Sequence, residues 1–87
     1  MKARVAVNLK PTVLDPQGQT IQSVLQRQGY AGIQAVRQGK LFEVELAPEL
    51  TAEAAHTLMT TIASKILANP VIEEYRVEVL PDPEKKN

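Results

Sequence analysis

Apolar and polar residues take turns along the first ten positions. Ala3, Val5, Val7 and Leu9 interleave with Arg4, Ala6, Asn8 and Lys10, a period of two that predicts a strand with one buried face. Pro11 and the Asp15-Pro16 pair punctuate this run, and the period then becomes helical, with Ile21, Val24 and Leu25 on one stripe. Asp15 suits the N-cap, and Pro16 suits the first helical position, where its missing N–H has no partner to lose. Gly29 fits the left-handed residue just past a helix end. Gly18, in the first turn, weakens the start of this helix.

Two short strands are predicted next, over residues 33–38 and 40–47, joined through Gly39 as an antiparallel hairpin. In the second, Phe42, Val44 and Leu46 share one face, and Leu41, Glu43 and Glu45 the other. Pro48 ends it. Thr51 caps a second helix with Glu53 near its positive end, and Ala55, Leu58, Met59, Ile62, Ile66 and Leu67 form its apolar stripe. Asn69-Pro70 closes that helix, Asn69 being able to take a left-handed conformation. A last strand spans 72–80, with Tyr75, Val77 and Val79 opposite in face to Glu74, Arg76 and Glu78. Residues 81–87 are rich in proline and charge and read as a flexible tail.

The order β-α-β-β-α-β, with right-handed crossovers and a short hairpin, predicts a ferredoxin-like α+β sandwich. It would have a four-stranded antiparallel sheet, two helices on one face, and a single domain over residues 1–80. The other face would carry Lys2, Arg4, Glu43, Glu45, Glu74, Arg76 and Glu78, whose opposite charges can pair across strands.

Composition narrows the function. The 87 residues carry ten basic and ten acidic side chains, so the basic stripe a nucleic-acid binder needs is absent. Tyr30, Phe42 and Tyr75 are the only aromatics, too few for a base-stacking platform. No apolar run approaches the ~20 residues of a membrane span, and no signal-peptide core is visible, so a cytoplasmic protein is expected. With no cysteine, disulfides, thiolate metal sites and a Cys nucleophile are ruled out. Burial of roughly 9,000 Å² on folding, about 60% of it apolar, contributes on the order of 130 kcal/mol, and ordering the chain costs about the same. A lone subunit is therefore marginal, and a homodimer or higher oligomer is expected.

Catalytic groups are sparse. His56, the one histidine, lies beside the apolar stripe of the second helix, with Glu53 as its only nearby carboxylate. That is a flank residue before it is a metal ligand. The pairs Glu43/Glu45 and Glu73/Glu74 have no apolar pocket to raise a pKa for acid–base work. Ser23 and Ser64 lack an adjacent base, and Gly18, Gly29, Gly32 and Gly39 are too scattered for a phosphate loop. No catalytic, cofactor or metal residue is assigned. From Pro16 to Val36 the only charge is Arg27, and residues 54–64 carry none. The outward positions Gln19, Gln22, Ser23 and Gln26, and Thr57, Thr60, Thr61 and Ser64, fit a partner interface or a merely Gln- and Thr-rich surface.

The segment Leu9-Lys10-Pro11-Thr12-Val13-Leu14-Asp15-Pro16-Gln17-Gly18 resembles the LKPxVLDPxG signature of the PurS family, the small subunit of phosphoribosylformylglycinamidine synthase. Val36-Arg37-Gln38-Gly39-Lys40 resembles that family's VRxGK segment, and Asn69-Pro70-Val71-Ile72-Glu73-Glu74-Tyr75 its NPVIEEY segment. Thr12 stands where the family commonly has Gly, which affects only the local turn. The resemblance implies a non-catalytic subunit of a glutamine-dependent, ATP-consuming ligase of purine biosynthesis. Such a subunit would hold a PurQ-type glutaminase and a PurL-type synthetase together and assist ammonia transfer. ATP and Mg²⁺ would then belong to the synthetase, with no cofactor on this chain. Pro11, Pro16, Gly18 and Gly39 would serve backbone geometry, whereas Lys10, Arg37 and Lys40 are candidates for partner contact, since no turn requires a cation there. A ferredoxin-like regulatory module that binds a small molecule is the alternative, although no anionic or glycine-rich ligand site is evident. An RNA-binding domain of the same fold fails on charge and aromatics.

Overall fold

The computed structural model describes residues 1–81; the remainder of the predicted tail lies outside the described residues. Strand β1 (Lys2–Leu9) is central, flanked by β2 (Gly39–Glu45) and β3 (Glu73–Leu80) in the order β2-β1-β3, both pairings antiparallel. Helix α1 (Pro16–Arg27) follows β1, and helix α2 (Ala52–Ile62) with a π-helical turn (Ala63–Leu67) joins β2 to β3. The class is α+β, as the periodicity predicts.

The core follows the alternation of β1. Ala3, Val5 and Val7 are fully buried, with Ala55, Met59 and Ala63 of α2 and its extension above them. Phe42, Val44, Tyr75 and Val77 flank this cluster from the outer strands. Burying Met59 and the two valines contributes about 1.5–3 kcal/mol each. On the opposite face, Arg4 sits across from Glu43 and donates from Nε to Oε2 at 3.0 Å, and Lys2 Nζ lies 3.8 Å from the same carboxylate.

The helix ends obey the capping rules. Asp15 accepts from the Gly18 N–H, Pro16 occupies the first turn, and Gly29 has φ +93°. Gly29 and Tyr30 donate to the Gln26 and Leu25 carbonyls at 3.1 Å each, which closes α1 in a Schellman motif. Thr51 caps α2 by accepting from Ala54 at 3.0 Å.

Five expectations need correction. Residues 33–38 form no ladder, so among the described residues the sheet has three strands rather than four. Nor do they turn back in a hairpin: no turn or bend separates them from β2. Helix α1 does not pack on the sheet; only α2 and its extension do, on β1 and β3. Along α2, Ile66 is 74% exposed although the stripe predicts it inside. The Ala68 N–H bonds to Ala63 O at 2.9 Å, an i→i+5 step that inserts one residue into the turn. This rotates Ile66 outward and brings Leu67 and Ala68 onto the core. Asn69 is not left-handed either, since among the described residues only Gly29 and Gly32 have positive φ. Its side chain instead accepts from Val71 N–H at 3.0 Å, an Asx turn.

Candidate functional site

The three sequence blocks, distant along the chain, meet at one end of the sheet. Asp15 is 4% exposed, and its two oxygens accept from different segments: Oδ1 from Gly18 N–H at 3.0 Å, Oδ2 from Gln38 N–H at 2.7 Å. A helix cap thereby becomes a clamp between the first and second blocks. These two N–H groups, with the Arg37 guanidinium adding to them against desolvation, hold the Asp15 carboxyl below its ordinary 3.8. The carboxylate is favoured wherever it accepts these bonds.

Arg37 ties the same blocks from the other side. Its Nη2 donates to the Lys10 and Val13 carbonyls at 3.0 Å each. Residues 10–13 form a turn closed by Val13 N–H to Lys10 O at 2.9 Å, with Pro11 at its second position. Thr12 needs no positive φ there, which explains why a residue other than Gly is accepted. The third block joins through Lys10 N–H, which donates to Ile72 O at 2.9 Å, and through Lys40 Nζ, 3.7 Å from Glu73 Oε2. Glu73 Oε1 also accepts from Asn69 N–H at 2.7 Å.

Two glycines are required by close approach. A Cβ on Gly18 would fall onto the Val36 carbonyl oxygen and, at 2.7 Å, onto Asp15 Oδ2. A Cβ on Gly39 would strike the Asn8 side chain and Val7 O. Their roles in backbone geometry thus match the expectation.

Of the candidate contact residues, Lys10 is half-buried, Lys40 carries an exposed ammonium, and Arg37 already serves this junction through two backbone carbonyls. Sequence reasoning missed that last role, because the carbonyls Arg37 reaches are 24 and 27 residues away. His56 is exposed, and among the described residues no three His, Cys, Asp or Glu side chains are grouped as a metal site would require. No helix of the described residues is long and apolar enough to cross a membrane.

Of the α1 glutamines, Gln19 and Gln26 are exposed as the sequence suggests and Gln22 is half-buried, but two of them are engaged with the chain's own backbone. Gln22 Nε2 donates to Gln34 O and Gln26 Nε2 to Ile33 O, both at 3.2 Å, which lays residues 33–34 along the helix. Ile21 and Val24 remain exposed, at 40% and 39%. On α2, Thr60 is half-buried and its hydroxyl oxygen has no hydrogen-bond partner among the described residues.

Fold and junction together define a small α+β scaffold whose charged and turn residues link segments of its own backbone. Residues 2–81 match the family model described as PurS: phosphoribosylformylglycinamidine (FGAM) synthase. The chain belongs to the PurS family. A phosphoribosylformylglycinamidine synthase subunit PurS from Synechocystis is 45% identical over 76 residues, covering 87% of this chain and 75% of the relative. The crystal structure of Methanocaldococcus jannaschii PurS, one of the subunits of formylglycinamide ribonucleotide amidotransferase, superposes with a TM-score of 0.83. It is 34% identical, with 92% of this chain and 95% of that one covered. A chain in the structure of PurLQS from Thermotoga maritima gives 0.76 at 33% identity, over 91% and 95%.

Proposed function

We propose that this chain is the bridging subunit of an FGAM synthase complex in cytoplasmic purine biosynthesis. It joins a PurQ-type glutaminase to a PurL-type, ATP- and Mg²⁺-dependent synthetase and assists ammonia transfer, holding no cofactor itself. The observation that carries this reading is the convergence of all three family blocks on one junction, in a chain whose relative is a component of PurLQS. Physical chemistry favours such a spacer. Ammonia in water at neutral pH is mostly ammonium, which is no nucleophile, whereas a water-poor path disfavours the charged form. Sealing two enzymes together needs shape and hydrogen bonds rather than acid–base groups.

Lys10 and Lys40 are the cations proposed to meet a partner; Arg37 is proposed to support them by fixing the loop beneath. The test is a Lys10→Glu/Lys40→Glu variant, checked for folding by circular dichroism and assayed in the reconstituted complex with glutamine and with ammonium chloride. Glutamine-dependent synthesis should fall at least tenfold, since like-charge contacts at an interface cost several kcal/mol. Synthesis from external ammonium should largely survive, because it bypasses the glutaminase. Equal loss with both donors would show that the subunit shapes the synthetase site instead. No loss with either would remove the two lysines from the interface.

A further inference from the structure

On the open face of the sheet, at the end where the three blocks meet, charged and amide side chains converge without bonding to one another. Alternation puts Asn8 and Glu74 on this face, and register sets them directly opposite in the β1–β3 ladder. Gly39 is the partner of Asn8 on the other side, and the Asn8 side chain lies over it, in the space a Cβ would take. Before Gly39 the chain runs through Arg37 and Gln38. A cleft of about 470 Å³ results, lined by Asn8, Leu9, Pro11, Arg37, Gln38 and Glu74. A second hollow of about 340 Å³ shares Asn8 and Glu74 with the first and reaches Arg76. Both volumes lie in the ~300–1,000 Å³ range of small-molecule sites.

The polar groups of this cleft are largely unengaged. A guanidinium carries five N–H donors in a fixed fork, and Nη2 of Arg37 gives its two to the Lys10 and Val13 carbonyls. Those bonds hold the fork still, while the donors on Nε and Nη1 have no partner among the described residues. Nor, among the described residues, does any hydrogen bond or ion pair engage the side chains of Asn8, Glu74 and Arg76. Four residues along β1 on the same face, Arg4 and Glu43 pair with each other at 3.0 Å. A cation and a carboxylate that share a cleft without pairing leave room for a ligand between them.

We propose that this cleft binds a free acidic α-amino acid of the glutamate type. The α-carboxylate takes the free edge of Arg37, whose planar fork suits bidentate recognition. The α-ammonium takes Glu74, and the side-chain carboxylate reaches Arg76. Asn8, between them, offers its carboxamide to either charged end, and Leu9 and Pro11 give the methylenes an apolar wall. Charge decides the class. Two arginines and one glutamate leave the site at +1, which a zwitterion with a second carboxylate neutralises. A neutral amino acid leaves one cation over, and a basic one adds another. Such a site neither requires nor is required by the bridging role, and the experiment uses this chain alone.

Amide NMR signals of the isotope-labelled chain, titrated with L-glutamate, should shift saturably at Asn8, Gln38 and Glu74 and stay fixed on α2. L-Glutamine should bind more weakly, and L-lysine should not bind. Arg76→Gln should erase the preference for glutamate over glutamine. Glu74→Gln should weaken glutamate about tenfold or more, the effect of losing one charged hydrogen bond, while sulfate binding holds or rises. Both positions are exposed, so the fold should stand, and a merely structural change would weaken sulfate along with glutamate. Shifts as strong with sulfate as with glutamate would show an anion on two arginines only and would overturn the proposal. So would tighter binding of glutamine than of glutamate, equal glutamate affinity in wild type and Glu74→Gln, or no saturable shift at these residues.

Discussion

The body of the molecule and its arm, helix α1 with residues 33–38, are built from equally regular sequence but held together differently. In the body, β1, β3 and α2 bury Val5, Val7 and Met59 completely, and apolar contact decides the geometry. In the arm, α1 buries only Gly18, and polar bonds set its position: Asp15 to Gln38, Gln22 to Gln34, Gln26 to Ile33. A helix with a good apolar stripe and sound caps can therefore remain off the sheet, if its base is pinned elsewhere.

The widest gap between the two regions should appear on truncating their apolar side chains. Met59→Ala should cost about 2–5 kcal/mol of stability in urea denaturation, independent of protein concentration, because a cavity opens in a closed core. Val24→Asp, at a position 39% exposed on the arm, should cost no more than about 0.5–1 kcal/mol. Equal losses at the two positions would erase the distinction between body and arm.

Gly18→Ala probes the joint. Its methyl group has no room against Val36 O and Asp15, so about 1–3 kcal/mol should be lost, together with slowed-exchange protection of the Gln38 amide. Hydrogen exchange at residues 33–38, compared with β1, would show whether the arm loosens while the body stays intact.

Asp15 makes the joint sensitive to acid. Its pKa is lowered in the folded chain, so its contribution is fully present above 3.8 and is lost as pH falls through the lower folded value. Urea midpoints measured from pH 6 downward should decline below about pH 4 in the wild type. In Asp15→Asn that part of the decline should be missing, from a lower starting stability, because the Gln38 N–H loses a charged acceptor. Identical pH profiles would mean that the clamp adds nothing.

The smallest effect is expected on the open sheet face. Glu43→Gln removes the pairing with Arg4 and Lys2, whose side chains are 44% and 40% exposed. The loss should stay within about 1 kcal/mol and shrink further at high salt.

Much of this protein is legible without coordinates. Alternation in β1 named Ala3, Val5 and Val7 as core, and the caps at Asp15, Thr51 and Gly29 were readable because each depends on residues within one helical turn. The three family blocks were equally local. What the sequence left undecided depends on distant groups. Whether residues 33–38 close a hairpin turns on Asp15 and two glutamines of α1 competing for their backbone, and no period reveals that contest. Arg37 looked like a free cation until folding brought two carbonyls to its guanidinium. Ile66 left the core through one inserted residue in a π-helical turn, which the apolar period of α2 does not reveal. Local propensity thus determined the elements, while long-range hydrogen bonds, which beat propensity wherever a buried polar group demands a partner, decided where the arm lies.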